Sequence, residues 1–109
     1  MTSTLLVFTV AALLEIFGCF AFWQWLRNDR SPAMALLGVV SLIGFALALT
    51  KSDVAFAGRA YAAYGGIYIT ASLVWLWLVE RQRPTVTDII GAGLAVIGAL
   101  VVIGFARRP

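Results

Sequence analysis

Apolar residues in this chain run in four long blocks, 5–26, 33–49, 60–79 and 89–106. Polar breaks at 27–31, 51–59 and 80–88 separate them, and each break carries charge or proline. A bilayer span takes roughly 17–25 such residues, and a segment in hydrocarbon must satisfy its backbone internally, as a helix does. The pattern predicts four transmembrane helices at about 5–26, 32–50, 59–79 and 88–106, in a single domain covering 1–109. Short connections make neighbouring helices antiparallel, so both termini are expected on one side. Ser31 before Pro32 reads as an N-cap followed by the first helical position. Thr85, with Asp88 three residues later, reads as a capping box opening the fourth helix. Arg81 and Pro84 bracket the turn that closes the third. Met1–Thr4 has no Lys or Arg, and the apolar run behind it is too long for a cleaved signal peptide.

Composition strengthens this picture. The chain has 109 residues, 62% of them hydrophobic, against about 45–50% in soluble domains. Eight Lys/Arg and five Asp/Glu are too few to solubilise that much apolar surface, and the same balance excludes disorder. There is no His and a single Cys. A Ser-His-Asp or Cys-His centre, a His-built metal site, an internal disulfide and a Cys-cluster zinc site are therefore excluded. The reading is an all-α integral membrane protein, not an enzyme, with no cofactor and no metal.

The cations fall in pairs: Arg27 and Arg30, Lys51 and Arg59, Arg81 and Arg83, Arg107 and Arg108. A nucleic-acid surface would cluster them, so no nucleic-acid partner is expected; they read as anchors at helix ends that snorkel to the headgroups. The pairing also leaves equal Lys/Arg on the two sides of the membrane, two pairs each. Since the Lys/Arg bias sets orientation, two readings stay open. A local bias fixes one orientation, or the chain inserts both ways and pairs with itself head to tail.

Glu15 is the only charged side chain in the interior of a span, and it sits near the bilayer midplane. An acidic residue there is roughly 2.5–3.5 kcal/mol unfavourable on insertion scales. Desolvation disfavours its ionised form, so it is expected to stay neutral until a cation arrives. The structural alternative is a protonated carboxyl bonded to a neighbouring helix. At helical spacing Glu15 shares its face with Phe8, Ala11, Ala12, Gly18, Cys19 and Phe22, whose small members leave room for a close helix or a cavity. Cys19 reads as a small apolar filler. The opposite face, with Leu6, Leu13, Phe17 and Phe20, suits lipid.

The third helix carries Tyr61, Tyr64, Tyr68, Ser72 and Trp75 on one face. Tyr64 and Tyr68 lie deeper than an interfacial aromatic belt, so their hydroxyls need partners. Rings beside a carboxylate can cage a cation, each contact contributing about 0.5–2 kcal/mol; ordinary aromatic packing is the alternative. Trp23, Trp25 and Trp77 read as interfacial anchors or packing residues. In the fourth helix Gly91, Ala95 and Gly98 form a small face that would let two backbones approach closely, making it the candidate dimer interface. Gly38 and Ser41 offer a weaker small face on the second.

The stretch 61–103, with AAYGGIYI, SLVWLW and the run Arg83-Pro84…Asp88…Gly91, closely resembles the YnfA family of small bacterial inner-membrane proteins, over almost the whole chain. Through shorter motifs the sequence also resembles the small multidrug resistance transporters of the drug/metabolite transporter superfamily. Those motifs are Glu15 with Gly18, the Ala60-Tyr61-Ala62 start of the third helix, and Gly91 with Gly98. The sequence differs from those transporters at Tyr64, which stands for Trp, at Cys19, which stands for Thr, and at Tyr68, which stands for Gly. It also carries Trp23 near the position of a cationic residue.

The resemblance implies a four-helix protomer acting as an antiparallel homodimer in the inner membrane. It implies proton-coupled export of small cationic or amine-type compounds, with Glu15 holding either a proton or the substrate. Tyr61, Tyr64, Tyr68, Ser72 and Trp75 would surround the cation, and Ala11, Ala12, Gly18, Cys19 and Phe22 would line the chamber. Two other readings stay open: a non-transporting membrane protein that binds or stabilises a partner, and a small dual-topology ion channel. A midplane carboxylate would repel an anion, which disfavours an anion channel.

Overall fold

The structure, a computed structural model, describes residues 2–104. All of its regular structure is α-helical: α1 Thr2–Arg27, α2 Ala33–Leu49, α3 Ala57–Leu78 and α4 Val86–Gly104. Three of these, α1, α3 and α4, are long and apolar enough to cross a membrane. The apolar α2 has 17 residues, about 25 Å at 1.5 Å per residue, the short end of the range for a span. The expected end of the fourth helix at 106 and the Arg107–Arg108 pair lie outside the described residues.

Local chemistry sets the helix ends. The Ser31 hydroxyl accepts from the Ala33 N–H at 3.1 Å, which caps the entry to α2. Thr85 and Asp88 form the reciprocal box. The Thr85 N–H donates to Asp88 Oδ2 at 2.9 Å, and the Asp88 N–H donates to Thr85 Oγ1 at 3.1 Å. Two helix-terminating turns use a left-handed residue, Asp29 at φ 55° and Arg81 at φ 59°. Each folds the chain back so that the next N–H, of Arg30 or Gln82, reaches a carbonyl of the preceding helix at 3.0 Å. After α2, the N–H groups of Thr50, Lys51 and Ser52 bond back three residues to Leu47, Ala48 and Leu49, a tight 3₁₀-like extension.

Helix α1 packs on α2 and on α3, and α3 packs on α4. The smallest dimension is 19 Å, about two helix diameters. Glycines bring the backbones together at two crossings. A Cβ at Gly18 would lie 3.0 Å from the Gly38 carbonyl, and one at Gly38 would lie 2.9 Å from the Gly18 carbonyl and 2.7 Å from the Phe22 ring. At the α3–α4 crossing a Cβ on Gly66 would lie 2.7 Å from the Ala99 Cβ and 2.9 Å from the Ala95 carbonyl. Ser41 adds a polar tie, its hydroxyl donating to the Leu14 carbonyl at 2.6 Å. In hydrocarbon no hydrophobic force draws helices together, so close contact and such ties take its place.

The core lies between α1 and α3: Phe8, Ala11, Ala12, Ala60, Ala63 and Tyr64. Four alanines leave space that two large rings, Phe8 and Tyr64, fill. None of the residues of α4 is fully buried.

Candidate functional site

Glu15 enters this core from α1 and meets Tyr64 of α3. The Tyr64 hydroxyl donates to Glu15 Oε1 at 2.8 Å. Tyr64 is only 6% exposed and is held from three sides by rings. Phe8 meets it edge-on at 5.7 Å between centroids, Phe45 of α2 at 5.7 Å and Tyr68 at 5.9 Å. A ring so clamped cannot swing its hydroxyl away without disturbing the two neighbouring helices, α1 and α2, whose rings contact it. The donor is thus preorganised for a carboxylate, and a hydrogen bond to a charged acceptor is worth about 1.5–3 kcal/mol.

Beside this pair lies a cavity of about 600 Å³, within the range of small-molecule sites. It extends from Glu15 at mid-height to the loop between α2 and α3. Phe45, Ala46 and Leu49 of α2 form one wall, and Ala60, Tyr61 and Tyr64 of α3 form the other. Thr50, Ser52, Val54 and Ala55 of the loop line its outer end. Aromatic faces, apolar side chains and one carboxyl group line it, the groups that cation–π and ionic contacts use.

The face expected around Glu15 is divided. Ala11 and Ala12 are completely buried in the core. Gly18 and Phe22 pack against α2, at the crossing over Gly38. Cys19 is exposed, one turn beyond Glu15. On α3, Tyr61 is 59% exposed at the cavity wall. Tyr68 meets the Tyr64 ring at a tilt, and Ser72 hydrogen-bonds the Tyr68 side chain. Trp75 lies further along α3 and meets Phe20 of α1 edge-on at 5.4 Å. Its indole N–H is buried without a partner. Phe20, assigned to the lipid face from its position on the helical wheel, therefore faces α3. On α4, a Cβ at Gly91 or Gly98 would meet nothing within 4 Å, so this pair is open to the outside. Ala95, by contrast, turns its backbone toward Gly66 of α3. Among the described residues, no group of three or more His, Cys, Asp or Glu could hold a metal ion.

Sequence reasoning missed the contribution of α2 and its following loop. Phe45 and Leu49 look like ordinary span residues, and only the packing of α2 on α1 turns them toward Glu15. It also missed a polar contact at the start of α1. The Asp53 N–H donates to Thr4 Oγ1 at 3.2 Å, and the Ser3 hydroxyl donates to Asp53 Oδ2 at 2.8 Å. Two hydroxyl residues at one end of an apolar run, and an Asp in the loop that returns to that end, were the available signal.

Comparison with known proteins adds a family. The full chain, residues 1–109, matches the family described as "Uncharacterised BCR, YnfA/UPF0060 family". A UPF0060 membrane protein of Ectopseudomonas mendocina is 55% identical over 106 residues, 97% of this chain and 96% of that protein. Another, from Pseudomonas syringae pv. syringae, is 57% identical over 96 residues, 88% of this chain and 87% of that protein. No solved structure matches. With its apolar helices and a match that runs from end to end, this chain belongs to the YnfA/UPF0060 family of membrane proteins.

Proposed function

We propose that this protein is a small secondary transporter of the bacterial inner membrane, related to the small multidrug resistance transporters, that exchanges protons for small organic cations. The observation that carries this reading is the Glu15–Tyr64 hydrogen bond at mid-membrane, beside a cavity walled by aromatic rings. A carboxyl group there has two ways to be neutral in its surroundings: it holds a proton, or it loses the proton and pairs with a cation. The two are mutually exclusive at one site. Cation arrival therefore releases a proton, and proton return expels the cation.

Exchange across the membrane needs the site to face each side in turn, and an inverted pair of protomers provides this by symmetry. Two features support such a pair. Glu15, Tyr68 and Ser72 are only half-buried in the protomer, and Cys19 is exposed. This polar seam would otherwise meet lipid, where unsatisfied polar groups are costly, and a second copy would cover it. The open Gly91–Gly98 face of α4 offers a close backbone contact for that copy.

The Glu15–Tyr64 bond also ties α1 to α3, which favours a second, purely structural reading in which the protein stabilises a partner. The two part at Glu15→Gln. Gln keeps the hydrogen bond from Tyr64 but cannot exchange a proton. The test is proton release from purified protein on adding a guanidinium, quaternary ammonium or polyamine cation, for wild type and Glu15→Gln. The expected result is release from wild type only, with cation binding that weakens as pH falls because protons compete for the same carboxylate. Cation binding that releases no proton at any pH, or equal release from the Gln variant, would overturn the exchange mechanism.

A further inference from the structure

The cavity ends at the loop between α2 and α3, residues 50–56, and this loop differs from the other two. Residues 28–32 join α1 to α2, and residues 79–85 join α3 to α4. Both connect helices that are closely packed on each other, through Gly18–Gly38 in one pair and Gly66–Ala99 in the other. The 50–56 loop instead joins one pair to the other. The two pairs meet along α1 and α3, the seam that holds Glu15 and Tyr64.

Beyond its bonds back to α2 and the packing of Val54 on the core, the loop is tied to the start of α1 through Asp53. Its backbone N–H donates to the Thr4 hydroxyl at 3.2 Å, and its carboxylate accepts from the Ser3 hydroxyl at 2.8 Å. Thr4 is only 3% exposed, so water cannot readily replace the Asp53 N–H as its partner. On either side of Asp53, Ser52 and Val54 line the cavity. The tie to α1 is thus made by Asp53, while its neighbours Ser52 and Val54 line the outer end of the site.

We propose that residues 50–56 are a strap over the outer end of the Glu15 cavity, and that Ser3 and Thr4 latch it shut through Asp53. Releasing the latch lets the α1–α2 pair and the α3–α4 pair part at this end and opens the route to Glu15. The proposal rests on the transport reading for its biological role, but not for its physical content. Opening can be measured on the protein without any substrate.

The reporter is a single thiol on the cavity wall: Ala60→Cys in a Cys19→Ala background. Ala60 is 4% exposed and lines the cavity, so a water-soluble maleimide reaches it slowly in the latched protein and faster when the site opens. In purified protein, Ser3→Ala combined with Thr4→Val is expected to speed labelling by about tenfold. That is the population shift for about 1.4 kcal/mol, a modest yield from two lost hydrogen bonds. Thr4→Ser, which keeps the hydroxyl, should label at the parent rate. If Thr4→Val does not fold, Ser3→Ala alone, at an exposed position, carries the test with a smaller acceleration. Equal labelling rates in latched and unlatched proteins of unchanged helix content would overturn the strap. Accelerated labelling in a protein that moves no cation in vesicles would sink the transport reading and leave the strap standing.

Discussion

The α1–α2 crossing gives the sharpest test of the packing that holds Glu15 in position. In Gly38→Ala the new methyl would start 2.7 Å from two atoms of the Phe22 ring and 2.9 Å from the Gly18 carbonyl oxygen. Ordinary contacts begin near 3.4 Å. The ring can turn aside, but the carbonyl belongs to a helix, so α1 and α2 must separate by about half an ångström. Overpacking of this kind costs about 1–3 kcal/mol. Working against it, Ala is favoured over Gly inside a helix by up to about 1 kcal/mol. Subtracting the full propensity gain leaves a net loss of up to about 2 kcal/mol, or up to roughly 10 °C in thermal midpoint for a chain of this size. Gly93→Ala is the control. It lies within α4, where a Cβ meets nothing within 4 Å, so it takes the propensity gain without a clash. The assay is thermal unfolding of both variants in the same detergent, followed by helical circular dichroism. If Gly38→Ala is stabilised as much as Gly93→Ala, the two helices are not in backbone contact, and the position of α2 beside the cavity is wrong.

Other changes probe the site, the assembly and the helix ends. Tyr64→Phe keeps the ring among Phe8, Phe45 and Tyr68 but removes the donor to Glu15; cation affinity by calorimetry should fall by about tenfold while helix content stays unchanged. Gly98→Leu places a large side chain on the open face of α4, and the detergent-solubilised species should shift to lower mass in light scattering; an unchanged dimer would move the interface to another helix. With equal cation pairs on the two sides, C-terminal reporters active on only one side of the membrane should both give signal, and signal from one alone would rule out dual insertion. Thr85→Ala removes one half of the capping box of α4 and should lower stability by about 1 kcal/mol, read as a small drop in thermal midpoint.

Much of this molecule is legible in its sequence because hydrocarbon imposes simple rules. A continuous run of roughly twenty apolar residues in a membrane is a helix, since only a helix satisfies its backbone polar groups within one segment. The helices therefore follow from block lengths alone, and their observed ends, such as Val86 at the start of α4, lie within a few residues of those expected. The Thr85–Asp88 box was readable for a similar reason: both partners lie within one turn, so their spacing decides their contact. Glu15 stood out because a lone charge in a span requires explanation, and Tyr64 because its hydroxyl lies too deep for the interface.

What tertiary structure decided is which face of each helix meets which neighbour. A span apolar on all sides offers no contrast between inside and outside, so sequence cannot orient it. Gly18 and Phe22 share a helical face with Glu15, yet they close on α2, because a glycine allows contact only where another backbone comes close. Phe20 looked suited to lipid and instead meets Trp75. Phe45 and Leu49 reach the cavity through the packing of α2 on α1. The tie from Ser3 and Thr4 to Asp53 joins residues about fifty positions apart, a distance over which no local pattern can specify a contact. The sequence by itself determined that there are helices in a membrane and which groups could bear chemistry. Close packing between those helices determined which of these groups share one cavity.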